Sequence, residues 1–182
     1  MSLRHSLKQT KSTSNANLIK RTDDPQIQLC MDDLSAANSQ FVIVKDAVDA
    51  YTISLSYDGA LAIHMKEDII EQHLTKADTT CCAVSAVAST ADVDALLGVI
   101  DTMVPSVQDA LTSYVAKKPE FDLKFFINTI ARVDISDLSE LTNHLFDNCL
   151  SDFIPPSHTA TTHVTVIKSA FADAVAAYVF TG

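Results

Sequence analysis

The chain has 182 residues, with 13 Lys+Arg against 23 Asp+Glu and a formal charge of -10. That length suits one domain able to bury its own core, and the acidic balance argues against nucleic-acid binding and against adsorption to anionic lipid. Hydrophobic residues at 47% and charged residues at 20% are globular values, and no uncharged apolar run reaches the roughly 18 residues that would span a bilayer. Glycine occurs at only three positions, Gly59, Gly98 and Gly182, and tryptophan at none. Those positions exclude both GxGxxG and GxxxxGK[ST], and a many-turned β-sandwich needs more glycine, so the expected fold is all-α.

Residues 1–24 read as a disordered basic arm or processing remnant, and residues 25–182 as a single helical domain. Met1 to Arg21 carries five Lys/Arg and no acid, so the rest of the chain sets 8 Lys/Arg against all 23 acids, a net -15. The arm lacks the apolar stretch of a secretory signal. Lys20-Arg21 resembles a dibasic processing site, and a chance basic pair fits equally well.

Five helical stretches follow. From Asp33 to about Ile53, Leu34, Ala37, Phe41, Val44, Val48 and Tyr51 recur at spacings of three and four, one face of a helix. A turn at Ser54 to Gly59 leads into a second stretch from Ala60 to about Asp78. It has two apolar rows, one of Leu61, Met65 and Ile69 and another of Ile63, Ile70, Leu74 and Ala77. Lys66, Glu67 and Glu71 are expected on its other faces. Ser89-Thr90-Ala91-Asp92 reads as a helix start. The third stretch then runs through Leu96, Ile100, Met103, Val107, Leu111 and Tyr114 to Lys117-Lys118, with a kink expected at Pro105 and a stop at Pro119. A fourth is clearest from Val133 to Leu150, with Leu138, Leu141, Leu145 and Cys149 on one stripe. After a break at Pro155-Pro156, the last carries Val164, Ile167, Phe171, Val175 and Tyr178. Short connections make an up-and-down bundle of about five helices the simplest arrangement, with room for a central hydrophobic cavity.

In such a bundle Cys30, Cys81, Cys82 and Cys149 all fall at one end. Two disulfides are expected, Cys30 and Cys149 each pairing with one of the adjacent pair, and free buried thiols are the alternative. Bridges imply an oxidising, extracellular compartment.

Catalytic patterns are missing: nothing resembles GxSxG, HExxH or an EF-hand loop. There is no CxxC, the histidines offer no zinc spacing, and no glutamate has a histidine three residues later, as a di-iron bundle would need. His64, His73, His158 and His163 therefore read as ordinary surface histidines, and no enzyme activity, cofactor or metal is expected. The interior instead offers many small and flexible side chains, among them Ala37, Ala47, Ala62, Ala174, Met65 and Met103. A bundle built from them has the option of a tunnel for a long apolar ligand between its helices, which composition alone does not favour over a packed core.

Four blocks in order carry a family resemblance. They are Asp46-Ala47-Val48-Asp49-Ala50-Tyr51; Ala60-Leu61-Ala62-Ile63 with Glu67-Asp68-Ile69-Ile70-Glu71 and Leu74-Thr75-Lys76-Ala77; Ala110-Leu111 with Val115-Ala116-Lys117-Lys118-Pro119-Glu120-Phe121-Asp122; and Ile167 to Tyr178. From Leu34 to Tyr178 the chain resembles the fungal hydrophobic surface-binding protein family, which includes cell-wall galactomannoproteins. The resemblance implies a secreted, non-enzymatic helical domain that binds hydrophobic surfaces or holds a fatty acid such as palmitate or arachidonate, and so sequesters host lipids. Ser56-Tyr57-Asp58-Gly59 replaces a more glycine-rich turn of that family, and Phe125-Phe126-Ile127 a shorter loop. The four cysteines are not a family signature.

The leading expectation is thus a secreted carrier, free or in the cell wall, of a long-chain fatty acid or related lipid. Its cavity would be lined by Val44, Val48, Met65, Ile69, Ile100, Met103, Val107, Leu141, Leu145, Ile167 and Phe171. With Arg132 the only arginine inside the helices, Gln72, Ser106 and Gln108 are the head-group candidates. The alternatives are a protein that coats hydrophobic surfaces without a stored ligand, and a solid core at these same positions. A plant-type invertase-inhibitor bundle fits poorly, because its first two cysteines lie close together.

Overall fold

In a computed structural model the described residues are 24–84, 89–151 and 158–178. The expected basic arm, the Pro155-Pro156 break and the side chain of His158 lie outside what is described. Five helices make up the fold: α1 (Pro25–Ala50), α2 (Ser56–Cys82), α3 (Thr90–Phe121), α4 (Phe125–His144) and α5 (His158–Ala177). A 3-10 turn at Ile53–Leu55 precedes α2, and α4 widens into a π-helical turn at Leu145–Leu150.

Local chemistry sets the ends. Asp24 caps α1 by accepting from the backbone N–H groups of Gln26 and Ile27, and Pro25 occupies the first turn, where its missing N–H costs nothing. The helix therefore begins nine residues before Leu34, the first position its apolar period marks. Ser89 opens α3 with a reciprocal capping box to Asp92. Contrary to the sequence expectation, α3 continues through Pro119 to Phe121, and Lys117 and Lys118 lie inside it. Lys117 Nζ instead reaches the backbone carbonyl of Tyr51 at 2.8 Å. At the α1–α2 connection Ser56 takes a positive φ of 52°, a conformation that favours glycine. Gly59 follows, where an added Cβ would come within 2.6 Å of Leu55 Cβ.

Cross-links between helices give the topology. Gln26 Nε2 donates to the carbonyl of Thr80, and Gln40 Nε2 to that of Lys66, so α1 and α2 run antiparallel. His64 meets Asp134 and His144 meets Asp78, which sets α4 parallel to α2. His163 lies beside Asp101, and the Tyr178 hydroxyl donates to the carbonyl of Tyr114 at 2.7 Å, so α3 and α5 run parallel. The order is up-down-up-down-up around one continuous core. Both disulfides form at one end, Cys30–Cys81 and Cys82–Cys149, with Cα separations of 4.7 and 4.4 Å. No helix among the described residues is long and apolar enough to cross a membrane.

Candidate functional site

Eight of the eleven residues expected to line a cavity, Val44, Val48, Ile100, Met103, Val107, Leu145, Ile167 and Phe171, are buried together in the packed core. Met65 and Ile69 are corrections: they are 60% and 41% exposed. Of the two apolar rows on α2, the one carrying Ile63, Ile70, Leu74 and Ala77 faces inward. The Leu61, Met65, Ile69 row turns to solvent, because a helix packed on one side can bury only one stripe. Leu141 lies half-buried in a groove between α2 and α4. Of the head-group candidates, Gln72 is exposed and Ser106 is half-buried with its hydroxyl turned back onto the carbonyl of Thr102. Gln108 borders a concavity.

That concavity runs between the parallel helices α3 and α5. It has a volume of about 510 Å³ and is lined by Leu111, Val115 and Ala116 of α3 and by Val166, Ala170 and Ala174 of α5, with Gln108, Thr112, Ser169 and Asp173 as its polar groups. Small side chains on α5 make the trough, since alanine at 170 and 174 leaves α3 uncovered where a larger residue would close it. Leu111 and Ala174 belong to the core, so the floor of the groove is the bundle's interior. The α2–α4 groove, of about 460 Å³, is chemically different, for Glu71, Asp78, Asp137 and Glu140 line it beside Leu141 and His144. Its carboxylates repel an anionic head group.

The end opposite the disulfides exposes a second apolar feature. Lys117 and the edge-on rings of Tyr51 and Phe121, with centroids 4.9 Å apart, hold the α1–α2 and α3–α4 connections side by side. From them project Leu55, Tyr57, Leu123, Phe125 and Phe126, the last 73% exposed. Phe125 and Phe126 pack edge-to-face on each other, with centroids 5.8 Å apart.

Sequence reading missed a buried polar cluster. Glu67, expected on an outer face, is 0% exposed and accepts a hydrogen bond from the Tyr114 hydroxyl. Asp134 is 3% exposed and lies 2.9 Å from His64 Nδ1. Burial pushes the Glu67 carboxyl well above the usual range; the adjoining Asp134 adds to the rise, while Tyr114 opposes it. Burial likewise raises the Tyr114 phenol, and Glu67 raises it further. For His64 burial works downward, but Asp134 outweighs it and the imidazole pKa is raised. His64 is thus no plain surface histidine. The signal was available as His64-x-x-Glu67, an i,i+3 pair on one helix face, in the reverse order from the Glu-x-x-His pattern sought.

Comparison with known proteins places this architecture. The profile of the family described as hydrophobic surface binding protein A matches residues 27–151. No curated protein sequence matches the chain. Among solved structures, Afmp4p in complex with palmitic acid superposes with a TM-score of 0.72 at 22% identity, covering 84% of this chain and 99% of that one. Ligand binding domain 1 of the Penicillium marneffei MP1 protein, complexed with arachidonic acids, gives 0.73 at 12% identity, covering 85% and 99%. At these identities the likeness shows the fold, an all-α bundle shared over nearly the full length of both neighbours.

Proposed function

The chain belongs to the hydrophobic surface binding protein A family, and from that premise we propose that it is a secreted, non-enzymatic protein that binds a long-chain fatty acid or related lipid. The α3–α5 groove carries this reading. Its volume of about 510 Å³ falls within the range of small-molecule sites, about 300–1,000 Å³, and its walls are mainly aliphatic. The acyl chain lies along Leu111, Val115, Ala170 and Ala174, over the inward row of Met103, Val107, Ile167 and Phe171 on the same two helices. Gln108, with Thr112 and Ser169, offers donors to the carboxylate at the rim. Each buried CH₂ contributes about 0.8 kcal/mol, so a sixteen-carbon tail gains roughly 12 kcal/mol gross before association and ordering costs. Two neighbours of the same fold were solved with palmitic and arachidonic acids, which supports this ligand class.

Titration with palmitate and arachidonate, read by calorimetry, tests the site. Ala170→Trp fills the trough from its α5 wall, and affinity is expected to drop at least tenfold with the helical circular dichroism unchanged. Wild-type affinity in that variant would move the ligand away from this groove.

A second reading rests on a separate observation. The exposed apolar tip at Leu55, Tyr57, Leu123, Phe125 and Phe126 suits contact with a hydrophobic surface. The two disulfides favour an oxidising compartment, in the medium or the cell wall, where both a lipid and such a surface would be met.

A further inference from the structure

We propose that His64, Glu67 and Asp134 form a site for one divalent transition-metal ion of the zinc class, set between α2 and α4. Each side chain offers one ligand atom, and the three atoms all lie within 4.8 Å of one another. Small side-chain adjustments bring an imidazole nitrogen and two carboxylate oxygens to the roughly 2.0–2.2 Å at which zinc is held. Three protein ligands leave a fourth position for water.

The cluster is more than a gathering of acids. Glu67 is 0% exposed, and its Oε2 accepts from no N–H or hydroxyl donor, with the acid of Asp134 beside the carboxyl. A buried carboxylate oxygen without a donor is costly, and an ion at the centre of the trio supplies the missing charge. Glu67 Oε1 is meanwhile fixed by the Tyr114 hydroxyl, the outer-shell orientation common around metal-binding carboxylates. If Nδ1 of His64 turns to the ion, Asp68 lies on the ring's other side, with Oδ1 3.9 Å from Nε2, as in a carboxylate–histidine–metal arrangement. Two carboxylates balance a divalent charge.

Donor type selects the ion. Imidazole with carboxylates suits zinc and its neighbours, whereas calcium and magnesium favour all-oxygen shells. Access comes from the His64 side, where its side chain is 36% exposed. The acidic α2–α4 seam beside it, with Asp68, Glu71 and Asp137, raises the local concentration of cations.

The test uses the full chain, stripped with EDTA and titrated with Zn²⁺ alone, read by calorimetry and native mass spectrometry without lipid. One Zn²⁺ per chain is expected, with a melting temperature that rises with Zn²⁺ concentration. Glu67→Gln and His64→Ala should each weaken binding at least tenfold. His144→Ala, which removes the separate His144–Asp78 pair, should leave it unchanged. His64 is partly exposed, so His64→Ala keeps the test decisive even where a change at Glu67 disturbs folding. Substituting Co²⁺ in the wild-type chain should give visible ligand-field absorption that is lost in His64→Ala. No saturable Zn²⁺ binding, or binding unaltered in His64→Ala, overturns the site.

Discussion

At position 67 the chain places a glutamate on the inward stripe of α2, between Ile63 and Ile70, where an apolar residue would pack without cost. Its raised pKa keeps the metal-free folded chain protonated there above the ordinary range, whereas the unfolded chain releases that proton near pH 4 to 5. Between those two values the unfolded state binds fewer protons, so stability falls as pH rises through the window. Glu67→Gln imitates the neutral acid and removes this dependence. In EDTA-treated protein its stability relative to wild type should improve steadily from about pH 4 towards neutrality. Denaturant unfolding at several pH values measures it, and a difference that stays constant across that range would contradict the burial account. The residue was legible as a charge but not as a buried one. Composition and period assign a glutamate to the outside, and only the contact with Tyr114 and Asp134, distant in sequence, reverses that assignment.

Among the elements, α2 is held at its disulfide end by two bridges, to α1 and to the π-helical turn. They close loops whose ends are 51 and 67 residues apart in sequence. Each stabilises by about 4 kcal/mol on chain-entropy arguments. Replacing Cys30 and Cys81 together by serine is expected to lower unfolding free energy by about 3–4 kcal/mol in urea, with helical content kept. A loss under 1 kcal/mol would mean that helix packing alone fixes this end. Element order and inward faces were readable for α1, α3 and α5, because Phe41, Val107 and Phe171 recur in period. Two features were harder to read. On α2 two rival apolar rows coexist, and period alone does not say which meets the core. At the end of α3 Pro119 reads as a stop, yet the helix passes it, since a proline near the last turn removes only one hydrogen bond and the buried Phe121 beyond it packs against Tyr51.

On the scale of the whole molecule the two ends differ. One is tied by sulfur; the other offers Phe125 and Phe126 to solvent from the first turn of α4, while the proposed lipid groove runs along the flank between α3 and α5. Surface contact and lipid storage are therefore separable. Phe125→Ser with Phe126→Ser should cut adsorption to hydrophobic beads several-fold and leave fatty-acid affinity within about twofold, because neither side chain lines the groove. Equal loss of both activities would place lipid and surface at one site. The bundle and the family were legible before the structure, through the spacing of apolar residues and the ordered alanine-rich blocks. The groove was not, because it arises from what α5 lacks at Ala170 and Ala174 once it lies parallel to α3.

Native mass spectrometry of the purified chain, repeated under denaturing conditions after incubation with palmitate and with arachidonate, bears most directly on the proposal of a lipid-binding bundle. A non-covalent adduct of one fatty-acid mass, present in the native spectrum and gone on denaturation, is the predicted result. An unliganded mass that stays unchanged with both acids would contradict lipid storage and leave surface contact at the Phe125–Phe126 tip as the function.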